Sequence, residues 1–398
     1  MTNQDIDKVL KTLLQLNHWI EQEEFKGYDP YDALNSTLLK RLTFGNRRIG
    51  QVWVQLMKRS PINVRPLLGG TKGYNPKGMG LFLASYWRLY RHFGQAEDFE
   101  RVRFFANWLQ NNIAHGYHGA CWGYNFDWPN RGFFAPAGTP TIVNTVFIGL
   151  AFIDLLALPD PAGIVDWGDM PLEIARSACE FIMRDLWSDR PAPDEQRFSY
   201  TPLDQRCVHN ANLLGAWLLA EVGVRSKETQ LTDTALRAVR YTVRRQRTDG
   251  SWRYGEGSND GWVDNFHTGY VLVALKRIAQ LLDTHEFDQA IEQGYAYWTA
   301  TMFLTDGTPK YYADRVFPID THCVAQGILT YLEFADRDPQ ATELARRLAT
   351  WGIANLQDPV GYFHYQIHQH YRIRIPYMRW TQAWMQRGLT ELITEKIQ

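Results

Sequence analysis

The stretch Asn144-Thr145-Val146-Phe147-Ile148-Gly149 begins with a polar residue at the start of an apolar helix and ends with a small residue five positions after it. The same pattern recurs about every 55–70 residues, and such near-constant spacing is typical of a repeated supersecondary unit. The six instances begin at Asn75, Asn144, Asn210, Asp264, Asp320 and, more weakly, Trp380. If six equivalent helices begin at one rim of a closed ring, their N-terminal polar side chains face a common site.

Between these starts the chain alternates two kinds of predicted helix. The first helix of each pair carries many charges, and the second is apolar on most sides, which places it in an inner layer. The pairs are 47–59 with 77–93, 98–114 with 141–158, 170–187 with 207–223, 230–247 with 263–283, 286–303 with 318–335, and 338–356 with 378–396. We therefore predict an all-α fold, an (α/α)6 toroid of six helical hairpins with short strands in its rim loops. An open α-solenoid is the alternative.

An additional helix is predicted near the N-terminus, over residues 3–20, where apolar residues recur at helical spacing. A loop rich in Gly, Tyr, Pro and Asp follows it at 27–32. We expect the chain to divide into an N-terminal helix and loop, 1–46, that pack on the toroid, and the toroid itself, 47–398.

The composition is that of a globular protein with a large core. Hydrophobic residues make up 45% of the 398 residues and the formal net charge is −1, so nothing favours nucleic acid or an anionic membrane as a partner. The four cysteines form no CxxC pair, which argues against a disulfide framework and a Cys-type zinc site. We identify no signal peptide and no apolar run of membrane-spanning length. A cytoplasmic location is therefore expected, and the oligomeric state is left open.

The stretch Gln246-Arg247-Thr248-Asp249-Gly250-Ser251-Trp252 resembles the QxxDGSW repeat of squalene-cyclase-like and prenyltransferase-like α/α toroids. The number and length of the hairpins also resemble the six-hairpin glycosidases and the related polysaccharide lyases and sugar epimerases. The DxDD acid of class II terpene cyclases and the DDxxD metal motif are both absent from the sequence. The prenyltransferase zinc ligands also lack their usual arrangement. The resemblance thus implies the α/α architecture and favours carbohydrate chemistry by elimination.

Two of the six helix starts combine an aspartate with a histidine in the first turn: Asp264 with His267, and Asp320 with His322. His209 lies at a third start. Carboxylate–imidazole pairs can move protons at neutral pH because each group tunes the pKa of the other. The alternative is structural, since Asp and Asn are ordinary N-terminal helix caps. A metal site is less favoured because no inner helix carries an HxH or HxxxH pair, and no cofactor is expected.

The loop 121–131 is the densest cluster of aromatic and polar residues. Aromatic faces stack on the C–H surfaces of sugars, while Asp, Asn and Arg side chains hydrogen-bond hydroxyls or a carboxylate. Asp127 lies between two aromatic residues and is the acid/base candidate of this loop; a packed loop with a few polar groups is the alternative. The predicted saccharide-binding residues are Trp122, Tyr124, Trp128 and Arg131 in this loop, and Asn144, Asn210, Trp262, Tyr312, Arg379 and Trp380 elsewhere on the rim.

The stretch 60–77 is dense in Arg, Lys and Asn, and it ends where the predicted helix 77–93 begins. Because a helix N-terminus favours anions, this stretch is a candidate site for an anionic group such as a uronate or a phosphate. A solvated surface loop explains the same residues equally well.

We expect a carbohydrate-active enzyme acting on an oligo- or polysaccharide, including those that contain uronic acid. The acid/base candidates are Asp127, Asp264 and Asp320, with His209, His267 and His322 as supporting groups. A carboxylate pair would serve a glycosidase. A lyase or C5-epimerase instead removes a proton beside a carboxylate, and would depend most on Tyr124 and His267. The alternatives to a carbohydrate-active enzyme are an isoprenoid cyclase-like or prenyltransferase-like enzyme and a non-catalytic glycan-binding scaffold.

Overall fold

A computed structural model describes residues 3–129, 134–157 and 167–394. The helices are α1 Asn3–Gln22, α2 Thr37–Arg41, α3 Arg47–Arg59, α4 Pro76–Phe93, α5 Ala96–Asn111, α6 Ile142–Ala157, α7 Met170–Arg184, α8 His209–Ser226, α9 Thr229–Val243, α10 Asn265–Leu281, α11 Asp288–Thr301, α12 Thr321–Glu333, α13 Ala341–Leu356 and α14 Trp384–Thr394. The strands are β1 Trp128–Pro129, β2 Phe134–Ala135, β3 Ser188–Asp189, β4 Arg197–Phe198, β5 Ile319–Asp320, β6 Gln366–Ile367 and β7 Arg372–Ile373. They form antiparallel ribbons in the order β1–β2, β3–β4 and β5–β6–β7. The predicted all-α class with short rim strands is confirmed.

The six even-numbered helices from α4 to α14 form the inner layer, in which each helix packs against the next. The ring is closed because α14 also packs against α4. Closure distinguishes a toroid from an open solenoid, whose terminal repeats do not meet. A π-helical segment, Met378–Ala383, leads into α14, so the sixth inner helix begins irregularly. The predicted (α/α)6 toroid is therefore confirmed.

The small residue of the recurring pattern is explained by contacts between neighbouring inner helices. A Cβ atom on Gly80 of α4 would lie 2.8 Å from Ile148 of α6, and one on Gly149 of α6 would lie 2.8 Å from Leu218 of α8. Contacts this short are overpacked, so a larger residue would push the helices apart. The repeat therefore marks places where neighbouring inner helices are in close contact.

The outer layer consists of α5, α7, α9, α11 and α13, with α1 as its sixth helix. α1 packs against α13 and α14, and near its end Glu21 accepts a hydrogen bond from Tyr86 of α4 at 2.9 Å. The predicted pairing of 47–59 with 77–93 is therefore wrong. α3 packs instead on β1 and on a 3₁₀ turn, Asp32–Asn35. The amphipathic pattern of α3 predicts that one face is buried, but it does not say against which partner.

Leu13→Ala should destabilise the protein by about 2–5 kcal/mol, because this side chain of α1 is 0% exposed in the main core. The next residue, Leu14, is 58% exposed, so Leu14→Ala should change the free energy of unfolding by about 0.5 kcal/mol or less. Urea unfolding of the two variants measures the difference. Small and equal effects would show that α1 is not an integral part of the ring.

Between α1 and α4 the chain makes a long excursion, residues 23–75, which contains α2, α3 and two 3₁₀ turns. The excursion has a small core of its own, formed by Ala33, Leu39, Val54 and Met57. The boundary expected at residue 46 falls between α2 and α3, which pack together. We therefore propose that the excursion, rather than residues 1–46, is the segment that packs on the toroid.

The cysteines Cys121, Cys179, Cys207 and Cys323 are free and buried. Burial raises the pKa of each thiol, and a thiol that stays protonated is a poor nucleophile.

In the described part of the chain, no helix has both the length and the apolar composition needed to cross a bilayer.

Candidate active site

The rim at which the inner helices begin carries a histidine that is oriented by a buried carboxylate. Asp264 caps α10, because its Oδ1 accepts from the backbone N–H of His267 at 3.0 Å. Its Oδ2 accepts from Nδ1 of the same histidine at 2.7 Å and from the Trp262 indole at 2.9 Å. The His267 side chain is 23% exposed, whereas that of Asp264 is fully buried. The imidazole is thus held by Nδ1, and no described residue hydrogen-bonds its Nε2.

A small cavity lies beside this pair. Its volume is about 10 Å³, which is room for about one water molecule. It is lined by Asn210, Trp252, Arg253, Tyr254, Asp264, His267, Thr268 and Val271. The Tyr254 ring stacks on Trp262 at a centroid distance of 4.5 Å, and it lies 4.6 Å from the His267 ring. His267 is therefore bordered by the Tyr254–Trp262 stack and by the side-chain amide of Asn210.

Asp320 begins α12 in the same way as Asp264 begins α10, but its hydrogen bonds are made with other segments. Oδ1 accepts from the backbone N–H of His322 at 2.8 Å and from the Trp380 indole at 3.1 Å. Oδ2 accepts from Gln366 at 2.6 Å. Burial raises the pKa of Asp320 to about 6, although these hydrogen bonds lower it. Both carboxylate oxygens are thus engaged inside the protein.

The raised pKa of Asp320 predicts a pH dependence of stability. The folded pKa lies above the usual 3.8, so the folded state holds the proton more tightly than the unfolded chain does, and stability falls as the pH rises through this window. Once the group is fully ionised, a pKa shift of this size lowers the free energy of unfolding by about 3 kcal/mol. Asp320→Asn keeps an oxygen acceptor and cannot ionise, so it should gain stability relative to the parent protein between about pH 4.5 and about pH 7.5. Urea unfolding at both pH values tests this; a constant difference between the two proteins would contradict it.

His322 lies below the rim and contacts the Phe266 ring, which also contacts His267. Its Nε2 is hydrogen-bonded to the Tyr270 hydroxyl at 2.5 Å, and its Nδ1 is buried without a partner among the described residues. Burial, followed by the charges of nearby cations, holds the pKa of His322 well below its usual range. The Phe266 ring lies 4.1 Å from His267 and 4.5 Å from His322. The outer histidine is thus accessible, and the inner one is kept neutral.

The polar residues at the helix starts differ in what their side chains do. Asn75, Asp264 and Asp320 are N-caps whose side chains accept from the first turn. Asn144 and Asn210 lie inside the first turns of α6 and α8 instead. Within the described residues, both polar atoms of the Asn144 side chain and Oδ1 of Asn210 are buried without partners. Because buried polar groups are nearly always hydrogen-bonded in native proteins, these amides are candidates for ligand binding.

A segment of the excursion, residues 27–32, crosses the rim and is fastened by buried ion pairs; we call it the strap. Asp29 makes a bidentate pair with Arg379, at 2.6 and 2.8 Å. Asp32 pairs with Arg65 at 2.5 Å, and Arg65 also donates to the backbone oxygen of Asp29 at 2.9 Å. Sequence reasoning predicted only a loop here. The available signal was the presence of two aspartates within four positions.

Tyr31 of the strap adds a hydroxyl group to the rim that sequence reasoning missed. Lys58 of α3 donates to its Oη at 2.9 Å, and the Tyr31 ring lies 5.6 Å from that of Trp380. Tyr31 is partly exposed, and it is close enough to Tyr254 to influence its ionisation. Since Tyr254 also contacts His267, Tyr31 and His267 border the same part of the rim.

The other predicted acid and histidine are engaged elsewhere. Asp127 pairs with Lys40 at 2.6 Å and accepts from the backbone N–H of Ala137 at 2.9 Å. His209 is 1% exposed, and its Nε2 is hydrogen-bonded to Glu256 at 2.7 Å. No described hydrogen bond or ring contact joins either of them directly to the Asp264–His267 pair. Among the described residues, no three His, Cys, Asp or Glu side chains are grouped as metal ligands would be.

The predicted saccharide-binding residues are distributed between the surface and the interior of the rim. Partly exposed at the rim are Trp128, Trp262 and Tyr312. Buried are Tyr124, Asn144, Asn210, Arg379 and Trp380. Trp122 lies in the core, where its indole donates to the backbone oxygen of Leu109 at 2.9 Å, and this contact accounts for it structurally. Arg131 falls outside the described residues.

The QxxDGSW residues have structural roles. The side-chain amide of Gln246 donates to the backbone oxygens of Gly250 and Ala290, both at 2.9 Å. Trp252 is 2% exposed, and its indole donates to the backbone oxygen of Thr242 at 3.0 Å. The motif therefore ties the end of α9 to α11, which explains why it accompanies the architecture rather than a particular chemistry.

Comparison with solved structures agrees with the architecture. Cellobiose 2-epimerase from Bacillus thermoamylovorans is similar, with a TM-score of 0.62 at 9% identity over 81% of this chain and 88% of that chain. D-mannose isomerase has a TM-score of 0.61 at 10% identity, over 81% and 88%. A GH76 alpha-mannanase from Bacteroides thetaiotaomicron has 0.60 at 13% identity, over 81% and 86%. No family model and no curated protein matches the sequence. At these identities the likeness establishes the fold: the protein is an (α/α)6 toroid.

Proposed function

We propose that the protein is a carbohydrate-active enzyme that moves a proton at a carbon atom of a saccharide, as an epimerase, isomerase or lyase does. The Asp264–His267 pair carries this proposal, because the buried carboxylate holds Nδ1 while the imidazole itself is partly exposed. An imidazole held in this way is suited to general acid/base catalysis at neutral pH. The fold adds support by analogy, since cellobiose 2-epimerase and D-mannose isomerase share it.

The arrangement supports proton transfer better than hydrolysis. A glycosidase needs two carboxyl groups at the glycosidic bond, one to donate a proton and one to activate water or attack the sugar. Asp264 and Asp320 are buried, and their oxygens accept hydrogen bonds from within the rim. Asp127 is paired with Lys40. We therefore propose that Asp264 positions His267 and that Asp320 positions Trp380, rather than that either carboxylate reacts.

In this proposal Nε2 of His267 takes the proton from a carbon next to a carbonyl or carboxyl group, and the electron pair of the C–H bond moves onto oxygen. Epimerisation returns a proton to the opposite face of the carbon, which requires a second group. Tyr31 is the best-placed candidate, because Lys58 donates to its hydroxyl oxygen and so stabilises negative charge that develops there. A lyase would use the same base and expel the substituent on the neighbouring carbon.

The surroundings of the pair are suited to a sugar ring. Trp262 and Tyr254 are stacked beside His267, and Trp128 and Tyr31 form another aromatic contact on the rim. Aromatic faces cover the C–H surfaces of sugars. The cavity of about 10 Å³ is far smaller than a sugar residue, and ligand pockets usually hold about 300 Å³ or more. Binding therefore requires the rim to open. Because the cavity lies at the surface, it suits the end of an oligo- or polysaccharide.

Incubation with neutral and uronic-acid oligosaccharides in D₂O, followed by mass spectrometry, tests the proposed function. An epimerase or isomerase incorporates deuterium without cleavage, and a lyase yields an unsaturated product. A hydrolase instead cleaves the chain and adds the elements of water. Deuterium uptake or an unsaturated product supports the proposal. Hydrolytic cleavage, or no change in any of the sugars, contradicts it.

A further inference from the structure

Lys77 is a buried amine that the proposed proton transfer does not use. It lies in the first turn of α4 and is 3% exposed. Its Nζ is enclosed by the rings of Phe147, Trp384 and Tyr270, at 4.4, 5.1 and 5.6 Å from their centroids. Among the described residues, Asp29 is the carboxylate that lies close enough to raise the pKa of Lys77, but the two side chains form no ion pair. A lysine in such a position is unusual, because buried charges are normally paired.

The charges around Lys77 do not balance. Asp29 already forms a bidentate pair with Arg379, which neutralises both side chains. Lys77 is therefore a second basic group beside a single carboxylate. Burial and then the charge of Arg379 hold the pKa of Lys77 well below its usual range, against the opposing effect of Asp29. Aromatic rings offset the burial of an ammonium group only in part. The cluster thus has a place for one more negative charge.

Unsatisfied polar side chains lie near this amine. The Trp384 ring is 4.6 Å from that of His322 and 5.1 Å from Nζ of Lys77. Nδ1 of His322 is buried without a partner among the described residues. Asn144, whose two side-chain polar atoms are equally unpaired, precedes Phe147 by three residues, so the two share a face of α6. A ligand with acceptor oxygens would satisfy several of these groups together.

We propose that Lys77 and Arg379 recognise a carboxylate on the sugar, so that the substrate is a uronic acid or another acidic sugar. This inference rests on the proposed function and narrows it from saccharides in general to acidic ones. Asp29 already shows how a carboxylate pairs with Arg379. Binding would add the substrate carboxylate beside Lys77, and the strap would have to shift to admit it. The same cations would stabilise the negative charge that spreads onto the carboxylate when His267 removes the neighbouring proton.

A pair of sugars that differ only in this group tests the inference: methyl glucuronide carries a carboxylate where methyl glucoside carries a hydroxymethyl group. In calorimetric titrations the parent protein should bind the glucuronide at least about tenfold more tightly. Lys77→Met should lose most of that preference. It should also raise the Tm of the ligand-free protein, because it removes an unpaired buried amine from an aromatic cage. A structural lysine would show the opposite change in Tm.

Lys276→Met is the matched control. Lys276 is also buried on an inner helix, at 2% exposure, but it pairs with Asp336 at 2.6 Å. Its removal should lower the Tm and leave the preference for the glucuronide unchanged. The inference is overturned if the parent shows no preference or no binding of the glucuronide, or if Lys77→Met keeps the preference. If neutral sugars exchange deuterium as fast as acidic ones, the inference fails while the proposed function stands. If acidic sugars bind through Lys77 but never exchange deuterium, the proposed function fails while the inference stands.

Discussion

His267→Asn should slow the exchange of carbon-bound hydrogen by about 10²- to 10⁴-fold, the range that a general acid/base contributes. Asparagine cannot accept the proton at neutral pH. The fold should persist, because the imidazole is 23% exposed and Asp264 still caps α10 through the backbone N–H of residue 267. Deuterium incorporation measures the rate, and circular dichroism with thermal unfolding checks the fold.

The matched control is His285→Asn. Nδ1 of His285 bonds Asp288 at 2.7 Å with the same i,i+3 spacing, but this side chain is 90% exposed. The pair therefore has the contact distance and the spacing of the proposed catalytic pair, in the reverse order and without its burial, and the exchange rate should not change. An unchanged rate in His267→Asn, or an equal loss in both variants, would remove His267 from the role of base.

Arg379→Met should destabilise the folded protein by about 3–5 kcal/mol, because it leaves the carboxylate of Asp29 buried without its bidentate partner. The two side chains are 3% and 5% exposed, so water cannot replace the lost interaction. The strap should also open more often, since this pair joins it to the start of the sixth inner helix. Urea unfolding measures the first effect, and faster amide hydrogen exchange over residues 27–32 reports the second.

An exposed pair of the same geometry serves as the control. Arg240 pairs with Glu286 at 2.7 and 2.8 Å, but these side chains are 28% and 42% exposed. Arg240→Met should cost about 1 kcal/mol or less. The double variant Asp29→Asn with Arg379→Met should recover part of the loss, because no unpaired charge is left. Similar costs for both arginine variants would show that the buried pair does not hold the strap.

The layered architecture was predictable because it depends on patterns within a few helical turns. An apolar stripe repeated on successive helices indicates which layer each helix occupies. The glycine in four of the six helix starts, such as Gly80 or Gly149, indicates a close approach between helices, and the structure shows that contact. The identity of the sixth outer helix was not predictable in this way. α1 and α3 are both amphipathic, and only ring closure shows that α1 packs on α14.

Within the candidate site, the Asp–His pairs were likewise predictable from the sequence, whereas their burial was not. Asp264 with His267 and Asp320 with His322 stood out in the sequence because a cap and a first-turn residue are neighbours in any helix. Their sequences did not distinguish an accessible pair from a buried one. That difference comes from distant segments, since Asp320 is bonded by Gln366 and Trp380, whereas His267 is partly exposed at the rim.

By itself, the sequence determined the six inner helices, the polar residues at their starts and the two Asp–His pairs, because periodicity and capping act within one or two helical turns. The tertiary structure decided which of these groups are accessible and which are charged. It joined Asp29 to Arg379 across 350 positions of the chain, brought Tyr31 and Lys58 to the rim, and left Lys77 in an aromatic cage. Burial and ion pairing depend on which segments meet when the ring closes, and no local pattern carries that information.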